Sequence, residues 1–280
     1  MRKAAKSFGA ALTLAILLSG CVSKVGPEPN GTPPLPSIST RPGPSLPPTI
    51  NETVDLFTLK PEMVDCQFFV LQMQLPQADV QQALPPGYEA QGLGSPAAAQ
   101  VNIQLEHCKA LVINNETVVP SMFLAQTVAR VRVNETLGKG ATLQTYAMEL
   151  FASNETVANL LGALGFNVTF ANITLETMGS FSTVRISVRG AVWYEIQGTN
   201  GYGRPIEWAD RERLHQVGDT GGALWINRNR TYEFAELGGH GRVTVSGGIL
   251  QSIRPGETGT IAGETALAPT AAAELTFGRR

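Results

Sequence analysis

The stretch Gln67 to Leu75, QFFVLQMQL, sets Phe69, Leu71, Met73 and Leu75 on one parity and Gln72 and Gln74 on the other. Side chains along a strand point alternately to opposite faces, so this repeat fits an extended strand and no helix. The same alternation returns in VNIQL (Val101 to Leu105). In TVARVRV, Ala129, Val131 and Val133 oppose Arg130 and Arg132, and in TVRISVRGAVWYEI, Val184, Ile186 and Val188 oppose Arg185, Ser187 and Arg189. Such a pattern predicts half-buried antiparallel strands with one wet face. Further strands are expected over Thr142 to Phe151, Ala223 to Ile226, Val243 to Ser246 and Ala266 to Ala268, separated by glycine-rich turns such as GDTGG and ELGGHG. Residues 53–280 are enough for one well-filled core or two small ones. No internal repeat or second proline-rich linker divides them, so a single β-rich domain is expected there.

Two short helices interrupt the strands. PQADVQQAL carries Val80, Ala83 and Leu84 at helical spacing and stops against Pro85 and Pro86. NETVANLLGALG places Asn154 at an N-cap, Val157, Leu160, Leu161 and Leu164 on one stripe, and Gly165 at a C-cap. The fold class expected is mainly β with a few short helices.

The N-terminal 20 residues give an address. Arg2, Lys3 and Lys6 precede an apolar run from Phe8 to Leu18, the arrangement of a signal peptide. Leu18-Ser19-Gly20-Cys21 resembles the lipobox of prokaryotic lipoproteins, which implies a mature chain beginning at a lipidated Cys21. Residues 21–52 follow as a tether. Nine of the 18 prolines lie between Pro27 and Pro48, and such a segment extends at about 3.1 Å per residue rather than packing.

Eight of the 13 asparagines begin an Asn-x-Thr triplet, the acceptor pattern for N-linked sugar on exported chains. Asn30, Asn51, Asn115, Asn134, Asn154, Asn167 and Asn229 are the expected sites. The eighth, Asn172, shares a parity with Phe166, Val168 and Phe170. A continuous strand would turn it toward the apolar side, so either the chain turns or bulges near Ala171 or Asn172 stays unmodified. Together these features place the protein outside the cytoplasm, on an archaeal-type envelope, with the membrane as a partner through its lipid. The formal charge of −2 loses three cations with the leader and becomes −5, which argues against a nucleic-acid partner. With Cys21 assigned to lipid, Cys66 and Cys108 remain, an even pair in an oxidising compartment expected to form a disulfide, with two buried thiols as the alternative.

The order strand, DVQQALPPGYE, strand resembles the acetoacetate decarboxylase family, where a short helix of this kind caps a β-barrel or cone. ETVANLLGALGFN is similar to the family's helical segment, ending here in Leu164-Gly165-Phe166, and GGHGRVTVSGG and GETALAP stand where late barrel strands are expected. The resemblance covers about residues 62 to 270 and implies an antiparallel barrel. It also implies chemistry: the family's enzymes hold a lysine directly before the Leu-Gly step, desolvated beside a second cation so that its amine forms a Schiff base with a keto acid. This chain has Gly162 and Ala163 at the matching positions, and its mature lysines are Lys24, Lys60, Lys109 and Lys139.

No catalytic residue is therefore expected, and the resemblance implies a barrel with an apolar interior holding a small apolar or carboxylate ligand. The alternatives are a decarboxylase or lyase in which Lys109 or Lys139 supplies the amine, and an envelope β-domain without a ligand. His107, His215 and His240 have no metal-ligand spacing, so neither metal nor cofactor is expected. RPIEWADRERLH reads as a solvated, salt-bridged loop or helix. Its sharper reading is an anion site at Arg204, Arg211 and Arg213.

Overall fold

The computed structural model describes residues 59–92, 96–113, 115–133, 143–199, 206–218, 223–234, 239–254 and 260–279. The leader and tether, with Cys21, Asn30 and Asn51, lie outside the described residues, as do Asn134, Lys139 and Arg204.

Seven strands form a closed ring: β1 (Glu62–Pro76), β3 (Ala98–Ile113), β5 (Met122–Val133), β6 (Leu143–Ala152), β11 (Ile206–Val217), β12 (Ala223–Phe234) and β14 (Thr260–Arg279), which pairs back onto β1. Ring neighbours run antiparallel except β6 and β11, which meet in parallel through Leu143–Tyr146 and Glu212–His215. The 20-residue β14 has two partners along its far edge. Its later part pairs with β12, and its first residues pair with β13 (Gly239–Val245). From β13 the sheet continues through β10 (Ala191–Thr199) and β9 (Phe181–Val188) to β8 (Asn172–Met178). The short strands β2 (Tyr88–Ala90), β4 (Glu116–Val119) and β7 (Thr169–Phe170) lie beside β5, β3 and β6.

Two cores follow from the two faces of the ring wall. The first gathers residues from all seven ring strands, among them Phe68, Val128, Leu150, Leu214, Ile226 and Ala268, and fills the inside of the ring. The second packs the outward parity of β1, β3 and β5 (Phe69, Leu71, Ile103, Leu105, Ala125 and Ala129) against Ile173, Val184, Ile196 and Val243 of the continuing sheet. Both parities of these strands are thus enclosed, and the expectation of one wet face is corrected. Asn102, Gln104 and Glu106, the polar parity of β3, are at most 3 % exposed because that parity faces the inside of a closed ring.

Among the described residues three helices fill the gaps: α1 (Gln77–Gln82), α2 (Glu155–Ala163) and α3 (Gly248–Ile253). The side chain of Asn154 accepts from the backbone N–H groups of Thr156 and Val157 and starts α2, as the sequence predicts. Gly165, at φ +94°, ends it, with Phe166 N–H donating to the Leu161 carbonyl. Val157 and Leu161 turn the apolar stripe onto the inner core. The segment read as a charged loop or helix is instead strand β11, held along its whole length by β12. At Ala171 the chain leaves β6 for β9, so β7 and β8 are separate strands and Asn172 is exposed. The partner strand changes at Ala171 but the alternation runs on: Phe170, Asn172 and Thr174 are exposed and Ala171 and Ile173 buried, so the expectation that this parity faces the apolar side is corrected.

Candidate functional site

The centre of the ring is charged. Arg228 and Arg230 share a parity with Leu224 and Ile226 of β12, Glu212 shares one with Leu214 of β11, and Glu106 stands on the inward parity of β3. None of the four is more than 2 % exposed. Arg228 Nη1 donates to Glu106 Oε1 at 2.9 Å and Nη2 to Gln126 Oε1 at 2.7 Å. Arg230 Nη2 reaches both Glu106 Oε1 at 3.0 Å and Glu212 Oε2 at 2.5 Å, and its guanidinium lies over the Phe68 ring, 4.9 Å from its centroid. Thr145 Oγ1 donates to Glu212 Oε1 at 2.7 Å, and Gln126 in turn donates to Gln104. Burial alone would raise the Glu212 carboxyl. The Arg230 and Arg228 guanidiniums, with the hydrogen bonds from Thr145 and Arg230, outweigh burial and hold it below the ordinary carboxylate range.

Two positive and two negative groups cancel one another, which is what makes four charges tolerable away from water. The network still leaves hydrogen-bonding capacity unused: neither Arg228 Nε nor Glu106 Oε2 has a partner among the described residues. Arg228 also borders a cavity of about 20 Å³ beneath α2, otherwise walled by apolar groups that include Met63, Leu111, Leu160, Leu161 and Phe277. The apolar interior expected from the resemblance is corrected: it is apolar under α2 and ionic at its centre.

A second enclosed group lies on the outward side of β11. His215 Nε2 donates to Gln144 Oε1 at 2.6 Å, which leaves Nδ1 as an acceptor without a partner among the described residues. Tyr88 packs against it edge-on and against Tyr146, with its own hydroxyl unpartnered. Burial, with the nearby Arg213 cation, lowers the His215 imidazole to about 4, and burial, with Tyr146, raises the Tyr88 phenol to about 12. A third group is a joint: Glu149 of β6 accepts from Tyr194 of β10 (2.6 Å), the N–H of Ile249 in α3 (2.8 Å) and Thr127 of β5 (3.0 Å). Burial raises the Glu149 carboxyl against the lowering effect of these bonds.

The sequence-predicted residues fall elsewhere. Lys109 is exposed on the outside of β3 and paired with Asp65 at 2.5 Å, and Lys60 is exposed. A Schiff-base amine needs desolvation, which neither position supplies. Gly162 and Ala163 lie on the exposed side of α2, so a lysine there would not be desolvated either. Arg211 is exposed and borders an open cleft of about 640 Å³ on the outer wall, together with Glu62, Asn229, Thr231 and Glu274. Arg213 lies over Trp225 and donates to Asn227. The two therefore do not converge on one site. Cys66 and Cys108 face each other across β1 and β3 and are bonded, with Cα atoms 3.9 Å apart. Among the described residues, Asn115, Asn167 and Asn229 are exposed and Asn154 is half-buried. His107 stacks on Phe123, and no group of three or more metal-ligating side chains occurs among the described residues.

No family model matches the sequence, and no curated protein does. Solved structures do. The chain is similar to the enduracididine biosynthesis enzyme MppR with HEPES bound, at 13% identity and a TM-score of 0.57 over 87% of this chain and 98% of that one. It is similar to acetoacetate decarboxylase from Legionella pneumophila, at 13% identity and a TM-score of 0.51 over 78% and 86%. An acetoacetate decarboxylase-like enzyme from Sphingomonas wittichii RW1 matches at 8% identity and a TM-score of 0.51 over 79% and 92%. At these identities the likeness is one of fold: the chain has the acetoacetate decarboxylase-like fold.

Proposed function

We propose that this chain is a lipid-anchored, N-glycosylated extracytoplasmic protein whose acetoacetate decarboxylase-like domain binds a small carboxylic acid without Schiff-base chemistry. The anchor reading rests on Leu18-Ser19-Gly20-Cys21 behind an apolar leader, and the compartment on the eight Asn-x-Thr triplets. The cysteine pair suits the same oxidising surroundings.

The observation that carries the ligand reading is the unused pair on one ion bridge, Arg228 Nε as donor and Glu106 Oε2 as acceptor. A protonated carboxyl group offers the complement, a carbonyl to accept and a hydroxyl to donate. A carboxylate would bring a third negative charge into a balanced cluster, whereas the neutral acid leaves the balance intact. The apolar walls beneath α2 suit a short hydrocarbon tail. A pocket for a small molecule is usually a few hundred Å³ or more, so α2 must lift for the ligand to enter and close over it afterwards.

Titration calorimetry with hexanoic acid and hexanamide tests this. The acid's affinity should fall about tenfold for each pH unit above its own pKa, because only the neutral form enters, while the amide binds without pH dependence. An acid affinity independent of pH would remove the neutral head group from the account. No binding of either compound would leave the envelope β-domain reading in its place.

A further inference from the structure

Ala171 is buried, and its N–H donates to the Ala152 carbonyl at the point where the chain passes from β7 to β8. The residues on either side, Phe170 and Asn172, are both exposed, so in extended backbone their side chains leave on the same side. Phe170 is 52 % exposed, an aromatic ring set in water directly beside the asparagine of an Asn-Ile-Thr triplet. Ile173 is buried and Thr174 is exposed, so the amide and the hydroxyl that a glycosylating enzyme must reach together stand on one open face. Beyond them, β8 is the end of its sheet, pairing only with β9 among the described residues.

We propose that Asn172 is an N-glycosylation site and that its first sugar lies over the Phe170 ring. The proposal rests on the export reading above. In the transfer, Asn172 Nδ2 attacks C1 of a sugar carried on a lipid-linked phosphate. The C1–N bond forms as the C1–O bond to phosphate breaks, the phosphate leaves with the electron pair, and Nδ2 gives up one proton. The apolar C–H face of the attached sugar then covers the exposed ring, removing from water an aromatic surface that the fold itself leaves open. The site is open because Phe170, Asn172 and Thr174 share the exposed parity across Ala171, while Ala171 and Ile173 face the core.

Site-resolved glycopeptide mass spectrometry of the full chain from its native membrane reads the first half. Asn172 should be occupied. An unmodified Asn172 in a chain whose Asn167 or Asn154 carries sugar overturns the proposal and leaves the export reading standing, whereas sugar on no triplet at all overturns both. Thermal unfolding reads the second half: Phe170→Ala should lower the midpoint by about 2 °C in the glycosylated protein and leave it unchanged in the Asn172→Gln background. Equal shifts in the two backgrounds would overturn the contact with Phe170.

Discussion

His215 shows how one enclosed side chain sets a pH limit on the fold. It has no solvent exposure, and Gln144, Tyr88, Tyr146 and Arg213 surround it without offering a carboxylate that would favour the imidazolium. Its folded value near 4 lies below the ordinary 6.5, so between these values the unfolded chain binds a proton that the folded chain does not. The stabilisation is therefore fully present above pH 6.5 and is lost as pH falls toward 4, by roughly 3 kcal/mol in all. Urea unfolding at pH 7 and pH 4.5 should show this loss, and His215→Gln should reduce it by most of that amount. An unchanged pH slope in the variant would place the acid sensitivity elsewhere, and Glu149 is no substitute. Its raised carboxyl works in the opposite sense, stabilising the fold as pH falls.

Strands β3 and β12 are not neighbours in the ring, yet Arg228 and Arg230 tie one to the other through Glu106, and to β11 through Glu212. The cluster is thus a cross-brace. Arg228→Met should cost about 3–5 kcal/mol in urea unfolding, because Glu106 and Gln126 lose donors they cannot replace with water. The double change with Glu106→Gln should cost clearly less than the two single changes added together, whereas strict additivity would mean that the pair is not coupled. Much of this architecture was legible: strands β1, β3, β5, β9 and β10 in their alternation, and α2 in its stripe and its Asn154 cap. The brace was not, although a signal for it existed. Arg228 and Arg230 continue the parity of Leu224 and Ile226, and Glu212 that of Leu214, which places charges on the core side. Composition argued the other way, since a run as charged as RPIEWADRERLH usually lies in water. Local alternation also reads the same in an open sheet and in a closed ring. Only the pairing of β14 with β1 decides that the polar parity of β3 faces inward. Helix α3, six residues long, is too short for periodicity to declare itself.

The molecule as a whole combines a fold shared with acetoacetate decarboxylase-like proteins and a centre occupied by two arginines and two glutamates. Two cores hold it, one inside the ring and one between the ring wall and the continuing sheet, and the Cys66–Cys108 bridge pins β1 to β3 within the first. The proposed role is ligand binding at the ionic centre without covalent lysine chemistry. Borohydride trapping in the presence of a keto acid, followed by peptide mass spectrometry, tests that most directly, since a Schiff base is reduced to a stable lysine adduct. The account predicts unmodified Lys60, Lys109 and Lys139; a reduced keto-acid adduct on any of them, Lys109 or Lys139 above all, would contradict it.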